Sequence, residues 1–229
     1  MKFGITQEFA CSYLPENKER LLVFAEDEPN EKVYEALMHA GFRRSGEQIY
    51  RPHCLNCQAC QSIRIPVDIF KPSKSQKRII NKNKDLRIEL SRQNKDAYYD
   101  IYQDYINQRH SDGSMYPATE EQYRGFLPGS WLEQYYMEFW LDDCLIGVAV
   151  TDELKDSLSA LYTFFIPEFE NRSLGTWAIL KQIELAKDLQ KQYLYLGYQI
   201  DECRKMNYKS KFKPNERFID NTWYRSLTD

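Results

Sequence analysis

Leu158-Ser159-Ala160-Leu161-Tyr162-Thr163-Phe164-Phe165-Ile166, followed at once by a loop containing Phe169-Glu170-Asn171-Arg172-Ser173-Leu174-Gly175-Thr176, decides the fold. The first nine residues read as a strand, rich in apolar and aromatic side chains. The second stretch breaks it and opens a helix predicted over residues 174–189, and a further strand is predicted at 193–196. Upstream, residues 135–141 and 145–151 read as two more strands. Asp142-Asp143 makes the turn between them, and Lys155-Asp156-Ser157 helps make the turn into residues 158–166. Further back, residues 86–90 alternate as a strand. Residues 97–109 form an amphipathic helix carrying Tyr98, Ile101, Tyr102, Tyr105 and Ile106. Residues 119–126 form a short helix that Thr119 can cap, with Gln122 completing a capping box. The tail, 216–224, adds a last strand.

The resulting order is strand, two helices, three antiparallel strands, helix, strand. That is the order of the acyl-CoA N-acyltransferase (GNAT) fold, so the fold class expected is α/β (α+β) with a GNAT-like mixed sheet. The loop at 169–176 stands where that fold has an Arg/Gln-x-x-Gly-x-Gly/Ala turn. Backbone N–H groups at such a helix start can hold an anion. Arg172 and Gly175 fit the pattern, but Trp177 fills the final small-residue position. An indole there is expected to obstruct a pyrophosphate cradle, which argues against acetyl-CoA as the ligand. A glycine that merely eases the strand-to-helix turn is the other reading.

The first third of the chain is organised differently. Cys54, Cys57 and Cys60 follow one another at Cys-x-x-Cys-x-x-Cys spacing, with Cys11 upstream. Thiols this close bind a metal or cluster, pair, or pack as small apolar groups. Residues 42–51 and 62–67 read as strands flanking this knuckle. Residues 31–40 read as a helix with Gly41 at its C-terminal cap. Residues 67–73 look like a boundary, which gives a smaller N-terminal cysteine-knuckle domain over 1–70 and the GNAT-like domain over 71–229. Cys144 and Cys203 lie apart from the knuckle and are expected to be buried small hydrophobes.

The chain has 229 residues and a net charge of −3, so overall charge does not announce a nucleic-acid partner. Its distribution says more. Residues 71–92 hold eight Lys/Arg against two acids, and Ser73 can cap a basic helix from there to residue 81. A second basic run contains Arg204, Lys205, Lys209, Lys211, Lys213 and Arg217. Either run alone is a solvated face; two of them in an acidic chain point to a local anion site. No run of eighteen apolar residues exists to span a membrane. The start lacks the apolar stretch of a signal peptide, so a cytoplasmic location and reduced thiols are expected.

Several stretches, in order, carry a resemblance. They are Cys11-Ser12-Tyr13-Leu14-Pro15, Gly41-Phe42-Arg43-Arg44-Ser45-Gly46, Tyr50-Arg51-Pro52-His53-Cys54 and Cys60-Gln61-Ser62-Ile63-Arg64-Ile65-Pro66-Val67. Arg109-His110-Ser111-Asp112-Gly113, Tyr162-Thr163-Phe164-Phe165, Arg172-Ser173-Leu174-Gly175-Thr176 and Tyr195-Leu196-Gly197-Tyr198 continue the series. Lys205-Met206-Asn207-Tyr208-Lys209-Ser210-Lys211-Phe212-Lys213-Pro214 ends it. Over nearly its whole length the chain resembles the aminoacyl-tRNA–protein transferases, and among them the short bacterial aspartate/glutamate leucyltransferases. The resemblance implies transfer of leucine from leucyl-tRNA to the α-amine of proteins beginning with Asp or Glu, marking them for degradation. An arginyl-tRNA donor on the same scaffold is the nearest alternative, and an acetyl-CoA-dependent N-acetyltransferase the next. It also implies an iron–sulfur cluster, since longer relatives hold one on paired cysteines. Here Leu14 and Ala59 break those pairs, while Cys54 and Cys57 restore a count of four with Cys11 and Cys60. Iron–sulfur or zinc on these four is therefore expected to be structural or redox-regulatory.

The chemistry itself asks for little. The ester is already activated, and an α-amine of pKa about 7.7–8.0 is roughly a fifth to a third neutral at pH 7.4. No cofactor is required for that step. Orientation and oxyanion donors can supply the acceleration. His110, just past a helix end, is the expected catalytic helper; a histidine interacting with the helix dipole is the equal alternative. Arg78, Lys205, Tyr208, Lys209 and Lys211 are expected to bind the acidic acceptor. Lys74, Lys77, Arg172, Ser173, Gly175 and Tyr198 are expected to bind tRNA, Tyr198 by stacking on a base.

Overall fold

The computed structural model describes residues 1–26, 29–113 and 115–226. The chain opens with short strands β1 (Phe3–Ile5), β2 (Phe9–Ala10), β3 (Lys18–Glu19) and β4 (Leu21–Phe24). Helix α1 (Glu31–His39), β5 (Arg43–Ser45), β6 (Gln48–Pro52) and β7 (Gln61–Pro66) follow. Next come α2 (Lys74–Lys82), β8 (Leu86–Ser91), α3 (Ala97–Arg109), α4 (Glu120–Phe126), β9 (Glu133–Leu141), β10 (Cys144–Glu153) and β11 (Ser157–Phe165). A 3-10 turn, Pro167–Arg172, leads into α5 (Leu174–Asp188) and β12 (Tyr193–Gln199). A second 3-10 turn, Asn207–Lys211, precedes β13 (Glu216–Ile219) and β14 (Thr222–Arg225).

The elements expected from residue 86 onward stand where the sequence placed them. The tail is a hairpin instead of one strand. Asp220 (φ 47°) and Asn221 (φ 59°) both take the left-handed conformation that a two-residue turn requires. The complete capping box is at α2: the Ser73 side chain accepts from the Gln76 N–H, and the Gln76 side chain accepts from the Ser73 N–H. At α4 only the Thr119 half is made.

One mixed sheet of eight strands runs in the order β14-β13-β7-β12-β11-β10-β9-β8. A four-stranded sheet, β1-β4-β6-β5, and a β2-β3 pair make up the N-terminal part. The boundary expected at residue 70 falls between β7 and α2. Strand β7 nevertheless pairs with both β12 and β13, so residues from before that point are built into the large sheet.

The large sheet is covered on both faces. On one side α2 and α5 pack Ile80, Ile179, Leu180 and Ile183 against Ile63, Ile65, Leu158 and Leu196. On the other, α3 and α4 bury Tyr98, Tyr102, Ile106 and Tyr123 against Val148, Val150 and Phe164. Beside them α1 brings Tyr34, Leu37 and Met38 against Tyr195.

Strands β11 and β12 are parallel neighbours, and they pair only at Ser157↔Tyr193, Leu158↔Leu194 and Ser159↔Tyr195. Both run on, to Phe165 and Gln199, without further pairing to each other. Two irregularities accompany the divergence. One is a register shift in β10 at Val150/Thr151 against β11; the other is a shift in β12 between Tyr195 and Tyr198 against β7. Gly197, at φ +84°, carries the second bend, a conformation that favours glycine. The opening between the two strands is where the candidate site lies.

A buried ion pair ties the N-terminal part to the sheet. Arg44 donates from Nε to Asp152 Oδ2 at 2.8 Å and from Nη2 to Oδ1 at 2.6 Å, with both side chains inaccessible. The same guanidinium donates to the carbonyls of Gly46 and Leu127. Removing one member leaves a buried charge uncompensated. Asp152→Ala is therefore expected to cost about 3–5 kcal/mol, read as a lower denaturation midpoint. A change under about 1 kcal/mol would mean that water or a neighbouring carbonyl compensates Arg44 fully.

Candidate functional site

At the open end of β11 three of the expected residues meet. His110 caps α3, its backbone N–H donating to the Ile106 carbonyl at 2.9 Å. Its ring lies edge-on to Tyr105, 5.0 Å between centroids. Tyr105 in turn packs on Phe165 of β11 and neighbours Tyr162. The Tyr208 phenol is near enough to Tyr105 and Tyr162 to act on both electrostatically. Lys205 stands beside His110 and donates to both carboxylate oxygens of Asp112, at 2.8 and 2.7 Å. Burial lowers the His110 pKa from its ordinary value, and the positive charges of Lys205 and Arg109 lower it further. The imidazole is thus held neutral, with a lone pair to accept a proton. Burial raises the pKa of Tyr105 and of Tyr162, so both phenols stay O–H donors. The arrangement combines a neutral base and hydroxyl donors, which suits amine attack on an ester.

Lys209 lies beneath this group instead of at the surface. It is 6% exposed, and its ammonium donates to the Tyr198 carbonyl at 2.7 Å. It also sits 5.1 Å from the Tyr208 ring centroid. Burial brings its pKa down to about 7, and the charge of Arg43 adds to that.

The remaining cations lie elsewhere. Lys211 is exposed, and its carbonyl accepts from Gln76 of α2 at 3.3 Å. Lys74, Lys77 and Arg78 are exposed on α2, which packs with α5 on the face of the sheet opposite α3. Arg78 is therefore not brought to His110. At the far end of α2, Lys82 and Asn83 donate to the carbonyls of Asn171 and Arg172, holding the turn before α5. Arg172 makes two 2.9 Å bonds to Asp85, so its charge is already met. Ser173 takes φ +57° and makes no side-chain cap, and the space beside Gly175 is open.

Two expectations are corrected. Tyr198 is buried and donates to the carbonyls of Gly41 and Tyr50, both at 3.2 Å, so its ring is not available to stack on a base. Trp177 is 1% exposed and packs on Phe139. It points into the core, so it does not obstruct the turn as expected.

Cys11, Cys54, Cys57 and Cys60 share one neighbourhood. Burial pushes the Cys60 thiol up to about 12, and the charges of Cys11, Glu19, Cys54 and Cys57 add to this. Asn17 donates toward Cys57 Sγ at 3.7 Å, and Leu14 N–H toward Cys11 Sγ at 3.4 Å. Among the described residues, no group of three or more His, Cys, Asp or Glu side chains stands close enough to hold a metal ion. Two side expectations also change. Cys144 is exposed and Cys203 only half-buried.

Other residues, given no role in the sequence, stand in this group. Tyr105 packs on His110, and Tyr162 neighbours Tyr105. Arg43 lies buried between α1 and β12, with its guanidinium 4.8 Å from the Tyr195 ring centroid and 6.0 Å from that of Tyr198. Its position next to the paired Arg44 was visible; its lack of a carboxylate partner was not.

One fold likeness is low in sequence identity. It is the C-terminal domain of a protein described as a lysylphosphatidylglycerol synthetase, from Agrobacterium fabrum. The TM-score is 0.51 at 12% identity, over 74% of this chain and 59% of that one. The chain thus spans under two thirds of that structure, and the likeness shows the acyltransferase-like fold alone. Relatives in sequence are much closer. An aspartate/glutamate leucyltransferase of Pseudoalteromonas atlantica is 59% identical over 97% of this chain and 96% of its own length. One from Aeromonas hydrophila is 52% identical over 97% and 94%. No helix among the described residues is long and apolar enough to cross a membrane. The N-terminal model of the arginine-tRNA-protein transferases matches residues 9–78 and the C-terminal model residues 97–219, and with these relatives they place the chain in the arginine-tRNA-protein transferase family, among the aspartate/glutamate leucyltransferases.

Proposed function

We propose that this chain transfers leucine from leucyl-tRNA to the α-amine of proteins whose first residue is Asp or Glu. The observation that carries it is the 59% identity, over nearly full length, to a relative named for that activity. In the reaction the amine nitrogen attacks the ester carbonyl, a C–N bond forms and the C–O bond to the tRNA breaks. One proton leaves the amine and one reaches the departing 3′-terminal oxygen. In this reading His110 takes the first proton and returns it to the leaving oxygen. The Tyr105, Tyr162 and Tyr208 hydroxyls are the nearby donors for the tetrahedral oxyanion. The basic face of α2 is the surface we assign to tRNA phosphates.

The test is transfer of labelled leucine from charged tRNA to synthetic peptides. A peptide starting with Asp is expected to react about ten- to a hundredfold faster than one starting with Asn, which is nearly isosteric but uncharged. Equal rates would remove the cationic pocket from the proposal. Arginyl-tRNA in place of leucyl-tRNA is expected to donate poorly. The iron–sulfur or zinc expectation for the four cysteines is a separate proposal. Metal analysis of anaerobically purified protein, with a count of titratable thiols, tests it.

A further inference from the structure

Two cations are buried side by side near the open end of β12 without a counter-charge. Arg43 is 5% exposed and Lys209 6%. Arg43 donates to the Phe42 carbonyl and to Ser62 Oγ, and its Nε has no partner. Lys209 donates to the Tyr198 carbonyl and contacts Met206 Sδ at 3.4 Å. Neither is paired with a carboxylate among the described residues; the Asp152 carboxylate nearby is taken by Arg44 through two bonds. The charge of Arg43 acts directly on Lys209. Tyr34, fully buried, acts electrostatically on Arg43, and its hydroxyl is met by Ser159. The Arg43 Nε and the Lys209 ammonium are donors without an anion to receive them.

Two like charges in a protein interior are costly unless something negative joins them. The position of this pair says what that is. Lys209 lies under Tyr208, which borders Tyr105 and His110. In an acceptor's first residue, the reacting amine and the side-chain carboxylate are separated by two carbon atoms for Asp and three for Glu. An amine placed at His110 therefore puts its carboxylate within a side chain's length, and the buried cations that neighbour this group through Tyr208 are Lys209 and, beside it, Arg43. Among the other cations, Lys205 is already held by Asp112, and Arg78 lies on the opposite face of the sheet.

We infer that Arg43 and Lys209 form the subsite that receives the side-chain carboxylate of the acceptor's first residue. This rests on the transfer reaction proposed above. A guanidinium offers a fixed fork of donors to a carboxylate, and an ammonium adds a point charge beside it. An amide in the same place would leave both cations unmet, so the pocket rejects Asn and Gln by charge and not by size.

The experiment measures leucine transfer to peptides that begin with Asp or Asn, for the parent chain, Arg43→Met, Lys209→Met and Arg43→Lys. In the parent the Asp/Asn ratio is expected to be about ten to a hundred. It should collapse toward one in Arg43→Met and Lys209→Met, and recover in part in Arg43→Lys. A ratio that survives in both Met variants overturns the subsite while leaving the transfer reaction standing. If the parent transfers no leucine to either peptide, the transfer reaction itself fails. Should the buried substitutions unfold the chain, hydrogen exchange on the parent decides. An Asp-starting peptide, and not an Asn-starting one, should protect backbone amides at 41–45 and 207–211. Protection elsewhere, or equal protection by both peptides, overturns the assignment.

Discussion

His110→Ala is expected to lower kcat about a hundredfold with little change in the melting temperature. General-base assistance contributes about 10²–10⁴-fold where a side chain is held in reach of the proton it takes. The lower end applies here because the amine is only weakly basic and already partly neutral. The pH profile separates chemistry from a merely structural role. Burial first, then Lys205 and Arg109, hold the His110 pKa below its ordinary value. The base is therefore competent above that lowered pKa and is lost only as pH falls through it. The amine, with a pKa of about 7.7–8.0, sets the main rise of rate with pH. Lys205→Met removes a positive neighbour, so the His110 pKa should rise toward its ordinary value and the acid limb should move up. A variant at 110 that loses melting temperature in proportion to activity would instead assign His110 to capping α3.

The fold was legible because its elements carry strong local signals. Residues 97–109 place Tyr98, Ile101, Tyr102 and Ile106 at helical spacing, and all four are buried under the sheet. The short strands β1 to β4 were not foreseen. Two to four residues give no usable period, and these strands are defined by pairing with one another and with β6. Tyr198 was misread for a different reason. Alternation puts residues three apart on opposite faces of a strand. The bend at Gly197 changes that parity, so Tyr195 and Tyr198 both turn their rings to Arg43. Trp177 was misread because a turn motif says nothing of where the next helical side chain points. It follows Leu174 by three positions on α5 and shares its buried face.

The site was half visible for a related reason. Residue types suited to the chemistry could be named, but not which of them would meet. His110, Lys205 and Tyr208 converge because the segment after β12 folds back over the end of α3. Arg78 does not join them, since α2 packs on the other face of the sheet. Arg43 carried no signal of its own. A buried arginine is recognised by the carboxylate it lacks, and that is a property of the packed state only.

The largest effect of ionic strength should come from α2. Lys74, Lys77 and Arg78 recur at i, i+3 and i+4, so they share one helical face, and all three are exposed. Lys82 and Asn83, at the other end of the same helix, hold the turn that opens α5. Phosphates lying along α2 would therefore be guided toward the opening between β11 and β12. Each phosphate neutralised contributes about −0.7 to −0.9 to the slope of log affinity against log salt. Three contacts make that about −2 to −3, or roughly a twenty- to fortyfold loss of charged-tRNA affinity between 50 and 200 mM salt. Replacing all three by alanine is expected to weaken binding at low salt and to flatten the slope by the same two to three. Transfer to the Asp-starting peptide at saturating tRNA should be nearly unaffected, because the triple substitution leaves His110, Lys205 and Tyr208 in place. If the triple variant binds charged tRNA with the parent's slope, the basic face of α2 is only solvated. The second basic run, from Arg204 to Arg217, would then carry the phosphates. A preserved slope together with a changed transfer rate at saturation would instead put α2 in the transfer step and take the phosphates away from it.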